Sequence, residues 1–466
     1  MRTAIRCASG PLAYLLGLLA LVGSCTATDS SAPGTCRTVA NCGEDTAPVC
    51  DAQTLACRAC NPSNPSDDIA CKNRKPETPR CGPQGACVAC MVHADCAGQD
   101  LRKPACVNNS CTACRQSSDC ASRVCSADGS CAPTTEVLFV NNKNGSCQAG
   151  AHKGTQEDPF CLIQDAVDVA SASGKTLISI EPSTRAYEAV RINQATSAQG
   201  LYLIGAGSSG SLVRIEGVNT EPALSVSALG GKKVVLSVRG VELVGTRQTS
   251  AVVCESGAEL TLIGSSIHDA GLDGITASGC SVTLDALRIF RNGRNGLSLT
   301  GSTYTVASSM IWANYVAGIA LGSGNTGSLK FLTVYANGNP AGDRPAGIDC
   351  GAGQASVENS IVFANISRVA GSAYTDVQLN GCLLSQVVTN DTKATGAIFK
   401  EAIEFVADSG PDPSVFNLRL KKGSDINQDC CVNKLSNLGG VDHDIDFHPR
   451  PERVGGLADI GAHEVQ

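Results

Sequence analysis

Residues 288–299 read RIFRNGRNGLSL, and residues 310–321 read MIWANYVAGIAL. Each places an aliphatic residue, then Asn three positions on, then Gly and a further aliphatic four positions later. The spacing recurs. Ile267, Ile289, Ile311, Val334 and Val362 align at offsets of 22, 22, 23 and 28. An Asn column follows at Asn292, Asn314, Asn337 and Asn365, and a Gly column at Gly274, Gly296, Gly318 and Gly347. Short alternating runs such as SVTL and GLSL lie between them. A period near 22 with several short strands per period is the mark of a solenoid. A leucine-rich repeat of similar length needs a regular Leu/Asn consensus, which these residues lack. Coils of three short strands fit instead, roughly nine of them, and a rung spacing near 4.8 Å makes a rod of about 40 Å.

The expected fold class is therefore all-β. The start of the solenoid resembles that of right-handed parallel β-helix proteins. VLFVNN reads as a first strand, and PFCLIQDAVDVASASGKTLISI as a helix and a strand. Leu162, Ile163, Ala166, Val167 and Ala170 share one helical face, and Gly174 stops the helix. In that class such a helix plugs the open end, which otherwise exposes apolar surface and unpaired strand edges. AYEAVRI resembles the early strand of many β-helix families, active or not.

The columns have separate readings. Stacked inward Asn at a turn satisfy backbone groups that cost about 1–3 kcal/mol each when buried alone, so Asn292, Asn314, Asn337 and Asn365 read as a structural ladder. The Gly column permits the turn. One position after each aligned aliphatic stand His268, Phe290, Trp312, Tyr335 and Phe363. Alternation puts neighbours on opposite faces, so an inward aliphatic column sends this file outward. It suits stacking against sugar rings or an apolar partner; a packed aromatic stack is the other reading. The outward residues of the strand after each Gly are Thr276, Ser298, Ala320 and Asp349. Only Glu255 and Asp349 are acidic there, with no aligned basic partner, which makes them weak catalytic candidates. The motif sets of polygalacturonase-like and pectin-esterase-like enzymes are missing from the coils, and no paired His spacing for a metal occurs.

The N-terminus reads as a leader. Arg2 and Arg6 precede an apolar Leu12 to Val22, too short to span a bilayer. VGSC, ending at Cys25, resembles the lipobox of bacterial lipoproteins, which implies lipidation of Cys25; ordinary cleavage near Ala27 is the alternative. Thr26 resembles the outer-membrane-sorted class. The expected location is a bacterial outer membrane lipoprotein, surface-exposed, or else a secreted protein. The whole chain carries a net charge of −7, and losing two arginines takes it to −9. With no basic run after the leader, a nucleic-acid partner is not expected.

Of 26 Cys, 24 remain once Cys7 and Cys25 are set aside. An exported chain with a dense, even set reads as disulfide-bonded. Sixteen lie between Cys36 and Cys131, as four units of four joined through CRAC, CVAC and CTAC. The same CxxC spacing serves zinc, but an oxidising compartment favours disulfides. Four Cys per unit allow three connectivities. The segment resembles the Cys-rich repeats that follow the leader in many bacterial surface lipoproteins. Further along, Cys147 with Cys161, Cys254 with Cys280, Cys350 with Cys382 and the adjacent Cys430 and Cys431 are candidate pairs.

The tail carries the most specific resemblance. NLRLKKGSDI, DIDFHPRP and ADIGAHE resemble the closing segment of bacterial β-helix proteins of the choice-of-anchor Q type. Gly423, Ser424, Asp446, Arg450, Pro451, Asp459, Gly461 and Glu464 match, while Phe447 stands where Gly is usual. Alternating Asp442, Asp444 and Asp446 admit calcium as a cofactor; a salt link to Arg450 is the competing expectation. The expected organisation is a signal peptide at 1–24, a tether at 25–35, disulfide-rich repeats at 36–131, a parallel β-helix at 137–404 and a closing segment at 405–466. The functional expectation is a surface-anchored binding or adhesion protein with polysaccharide or another surface protein as partner. A carbohydrate-active β-helix enzyme and a passive spacer are the alternatives.

Overall fold

In a computed structural model, the described residues are 36, 42–43, 46–96, 102–114, 117–126, 129–147, 152–193, 196, 200–207, 212–231, 233–339, 345–351, 355–366, 379–409, 412–451 and 456–465. The leader, Cys25 and the 25–35 tether lie outside them. The described residues form two compact units, those up to 113 and those from 114 on. The fourth Cys unit, Cys114 to Cys131, thus belongs with the solenoid's unit and not with the first three Cys units.

In the first unit cross-links take the place of a core. Every group of four Cys, the fourth included, pairs first to third and second to fourth: Cys36–Cys50 with Cys42–Cys57, Cys60–Cys81 with Cys71–Cys87, Cys90–Cys106 with Cys96–Cys111, and Cys114–Cys125 with Cys120–Cys131. The third and fourth Cys of a unit face each other across a short antiparallel pairing, as Cys81 faces Cys87 and Cys106 faces Cys111. The first and second repeats each hand an arginine to the next. Arg58 pairs with buried Asp67, and Arg80 with Asp95.

The second unit is a parallel β-solenoid of about eight coils. Its three sheets have ten, nine and eight strands, each strand pairing with the equivalent strand one coil away. In the nine-stranded sheet, Ser266–His268 pairs with Arg288–Phe290, then Met310–Trp312, Thr333–Tyr335 and Ile361–Phe363. The middle residue of each, Ile267, Ile289, Ile311, Val334 and Val362, is fully buried in the coil interior. Helix Ile163–Ser173 caps the first coils on Ile163, Ala166, Val167 and Ala170 and ends at Gly174 with φ +76°. Leu162 falls outside that face: it precedes the helix and is 40% exposed.

The tail folds back along the solenoid. The described residues between 403 and 465 pack on the outer face of the nine-stranded sheet and form a second apolar cluster there with Phe290, Met310, Trp312, Phe331, Ile361 and Phe363. Polar contacts tie it down. Arg288 and Arg419 both bond Asp446, His443 bonds Asp285, and Ala462 N–H donates to Thr333 Oγ1. Disulfides join Cys147–Cys161, Cys254–Cys280, Cys350–Cys382 and the neighbours Cys430–Cys431. No helix of the described residues is long and apolar enough to cross a membrane.

Candidate functional site

The aromatic file leaves the coil interior, as alternation requires, but it is not open. His268, Phe290, Trp312 and Phe363 are 3–7% exposed, and Tyr335 is partly covered. The rings stack on one another, His268 on Phe290 at 4.6 Å and Phe290 on Trp312 at 4.5 Å. The tail covers them. Trp312 Nε1–H donates to the Pro413 carbonyl at 2.8 Å, and Tyr335 lies edge-on to Phe405 and donates its hydroxyl to Asp408. The reading of the file as a ligand-facing stripe is therefore corrected. Pairing rules decide which face of a strand a residue takes, and a segment far along the chain decides whether that face meets water.

The ladder is continuous. Asn292, Asn314 and Asn337 each donate Nδ2–H to the Oδ1 of the next Asn in the column at 2.8 Å, ending on Asn365. The Nδ2 groups of Asn314, Asn337 and Asn365 also reach coil carbonyls. Glu255 and Asp349 share a sheet but stand four strands apart in it, on the order of 19 Å at the usual strand spacing. Acting as a pair is ruled out by that gap. Asp349 accepts from Gly351 N–H and Asn380 Nδ2.

The alternating aspartates of the tail also separate. Asp442 is exposed and bonds His443. Asp444 accepts from the N–H groups of Asp446, His448 and Glu464. Asp446 faces two arginines. Donor atoms of Asp444, Asp446 and His463 do lie within 4.8 Å of one another, but two guanidiniums on Asp446 oppose a cation there. Nor does the carboxylate of any of the three aspartates pair with the Arg450 guanidinium; Asp442 meets Arg450 only through its backbone carbonyl, which accepts the Arg450 N–H. Its buried guanidinium pairs with Glu464 at 3.3 Å, donates to the carbonyls of His443, Asp459 and Gly461, and sits 4.4 Å above the Phe331 ring.

What the sequence reading missed lies at the corner after the aromatic file. There one residue per coil takes a left-handed conformation: Asp269, Arg291, Ala313, Ala336 and Ala364, at φ +50° to +57°. The next turn stacks Arg247, Gly271, Gly293 and Tyr315 on successive coils, Gly271 N–H reaching Thr246 O, Gly293 N–H reaching Ala270 O and Tyr315 N–H reaching Asn292 O. A Cβ on Gly271 would stand 1.9 Å from the Arg247 carbonyl oxygen, and one on Gly293 2.4 Å from that of Gly271. Only glycine fits at both positions. The two glycines floor an open groove of about 560 Å³, with Arg247 at one end and Tyr315, 58% exposed, at the other. Three coils separate those ends, roughly 14 Å. The signal was present as two glycines one period apart between a basic and an aromatic residue, but nothing in one chain marks a Gly as floor and not turn.

Along the groove runs a charged chain. Glu242 bonds His268 Nε2 at 2.7 Å, and His268 Nδ1 bonds Asp269 at 2.8 Å. Asp269 takes two bonds from Arg291, which also reaches Asp412 of the tail. The hydrogen bond from His268, against the opposing effect of burial, holds the Glu242 carboxyl below its ordinary value. Burial works to raise Asp269, but its bonds to Arg291 and His268 outweigh it and keep it low. Both ring nitrogens of His268 face carboxylates, so the imidazole works as a clamp.

Coils and turns of this kind define a class, the parallel β-helix. Residues 230–403 match the family model described as the right handed beta helix region. No curated protein matches the chain. Among solved structures, a pectate lyase, Pel9A, aligns at 14% identity with a TM-score of 0.40, covering 71% of this chain and 96% of its own. The ORF18 protein of Geobacillus virus E2 aligns at 12% and 0.36, covering 57% and 60%. A rhamnogalacturonan lyase aligns at 14% and 0.26, covering 55% and 75%. Likenesses this distant carry no argument about this chain.

Proposed function

We propose that the protein is a non-catalytic, cell-surface binding protein that engages a polysaccharide carrying acidic groups at the Arg247–Tyr315 groove. The observation that carries this reading is the groove itself: an exposed ring for a sugar face, an exposed guanidinium for a carboxylate or sulfate, and a floor stripped of side chains between them. Its titratable members favour binding over catalysis. Proton transfer needs a group poised and open, whereas Asp269, Arg291 and His268 hold one another. Attachment through a lipidated Cys25, at the outer membrane, completes the proposal and places the groove outside the cell.

The test is a binding panel of polygalacturonate, a sulfated polysaccharide and a neutral glucan against residues 26–466. Tyr315→Ala and Arg247→Ala are expected to weaken binding of the acidic chains about tenfold or more, 1.4 kcal/mol each, with unchanged circular dichroism. Depolymerisation of any chain by the pure protein replaces this reading with an enzyme. Failure of every chain to bind leaves the passive spacer. Metabolic labelling with a fatty acid, lost in Cys25→Ser, checks the anchor.

A further inference from the structure

One cluster far from the groove joins a disulfide to a histidine and a carboxylate. Cys147–Cys161 closes the segment between strand Val137–Val140 and helix Ile163–Ser173. The two sulfurs differ. Cys161 is buried at 6% exposure and lies two residues before the helix, while Cys147 is partly exposed. His152 Nε2 stands 3.3 Å from Cys161 Sγ, and its Nδ1 stands 2.8 Å from Asp158 Oδ1. Lys153 N–H donates to the same carboxylate, and Thr155 Oγ1 takes the Asp158 N–H. A carboxylate-oriented imidazole thus faces one sulfur of the bond. A cavity of about 170 Å³ opens beside both sulfurs, and Arg185, an exposed residue, forms part of its lining.

Thiol–disulfide exchange needs an attackable sulfur and a departing thiolate that is stabilised. An adjacent imidazolium and a helix N-terminus are the features that stabilise a thiolate. Here both lie on the Cys161 side and the open face is on the Cys147 side. We propose that Cys147–Cys161 is a thiol-exchange site for a low-molecular-weight thiol bearing a carboxylate, attacked at Cys147 and released at Cys161. The incoming thiol gives its proton to His152, and its sulfur bonds Cys147 Sγ as the Cys147–Cys161 bond breaks. The electron pair leaves on Cys161 Sγ, held as thiolate by the imidazolium. A second thiolate then attacks the outer sulfur of the mixed disulfide and frees Cys147. Two small thiols are oxidised to one disulfide, and the protein disulfide is reduced to two thiols. The guanidinium of Arg185 favours a carboxylate on the attacking thiol.

The experiment exposes the oxidised full-length mature chain to graded L-cysteine, quenches with acid and N-ethylmaleimide, and maps the disulfides by peptide mass. Cys147–Cys161 is expected to open at least roughly tenfold faster than the buried Cys254–Cys280, with the cysteine adduct on Cys147 and the alkyl group on Cys161. His152→Ala is expected to slow opening roughly three- to thirtyfold, and Asp158→Asn to slow it less, with Cys254–Cys280 unchanged. Cysteamine, which lacks the carboxylate, is expected to react more slowly. The wild-type adduct position needs no variant to fold. An adduct on Cys161, or opening no faster than Cys254–Cys280, overturns the proposal. So does faster opening in His152→Ala, which is what a merely structural histidine gives when its loss loosens the cap. Equal rates for cysteine and cysteamine overturn the choice of thiol.

Discussion

Trp312 and Tyr315 are three residues apart and do opposite work. Trp312 is 3% exposed beneath the tail; Tyr315 is 58% exposed above the glycine floor. Trp312→Ala is expected to cost about 3–5 kcal/mol of stability, in the range for large aromatic truncations, read as a shifted denaturation midpoint. Tyr315→Ala is expected to leave that midpoint within about 0.5 kcal/mol, as surface changes do. Asn314→Leu leaves both the backbone N–H and the Nδ2–H of Asn292 without their acceptor, while Asn337 Oδ1 keeps only the backbone N–H of residue 314, and urea unfolding is expected to register a loss of about 1–3 kcal/mol or more. The ladder was legible because its spacing alone implies stacking. The exposure of Tyr315 was not, since Tyr335, a coil further on, carries the same ring under cover. Phe447 shows the same limit from the other side. It holds φ +62° where the resembling tails have Gly, and its ring stacks between His443 and Arg239.

At the scale of an element, the tail carries two histidines that titrate in opposite directions. His443 lies between Asp285 and Asp442, and the bond to Asp285, against burial, pushes it up to about 9. Its contribution is fully present below its unfolded value near 6.5 and is lost as pH rises from there through about 9. His463 is pushed down to about 4 by burial. There the folded chain resists protonation, so stability is present above about 6.5 and is lost as pH falls through about 4. Docking of the tail is therefore expected to be strongest near pH 6.5, and Trp312 fluorescence against pH reads it directly. His443→Gln is expected to flatten the alkaline limb and His463→Gln the acid limb. Within the tail itself, the Arg450–Glu464 pair is a further brace. Both side chains are almost fully buried, and Glu464→Gln strips the charge that faces the guanidinium; thermal unfolding is expected to show a loss of roughly 3–5 kcal/mol. The tail motif was readable as a motif, but its pairing was not. Asp446 is nearer to Arg450 in sequence than Glu464 is, yet Asp446 turns to Arg288 and Arg419.

Across the whole molecule, two sources of stability divide the chain. The first unit is cross-linked and nearly coreless; the second has a continuous apolar interior running the length of the coils. Each disulfide restricts the unfolded chain by roughly 2–4 kcal/mol. Strong reductant is expected to abolish amide-exchange protection in residues 46–113 while the strands from Val213 to Phe363 keep theirs. Loss of protection in both regions together would contradict that division.

The sequence by itself determined the repeat, the three-stranded coil, the cap, the ladder and the division into a Cys-rich and an aliphatic region. Each of these is periodic or local, and a period records which residues must share a face or a spacing. The tertiary structure alone decided the first-to-third and second-to-fourth pairing of each Cys unit, since three connectivities satisfy the same spacing. It also decided that the aromatic file is roofed by residues 403–465 and that a groove opens where Gly271 and Gly293 meet Arg247 and Tyr315. The roof depends on a segment far along the chain, 73 residues from Tyr335 and 101 from Trp312 at its bonds, and the groove on turns stacked across coils, and such contacts leave no period in the chain that makes them.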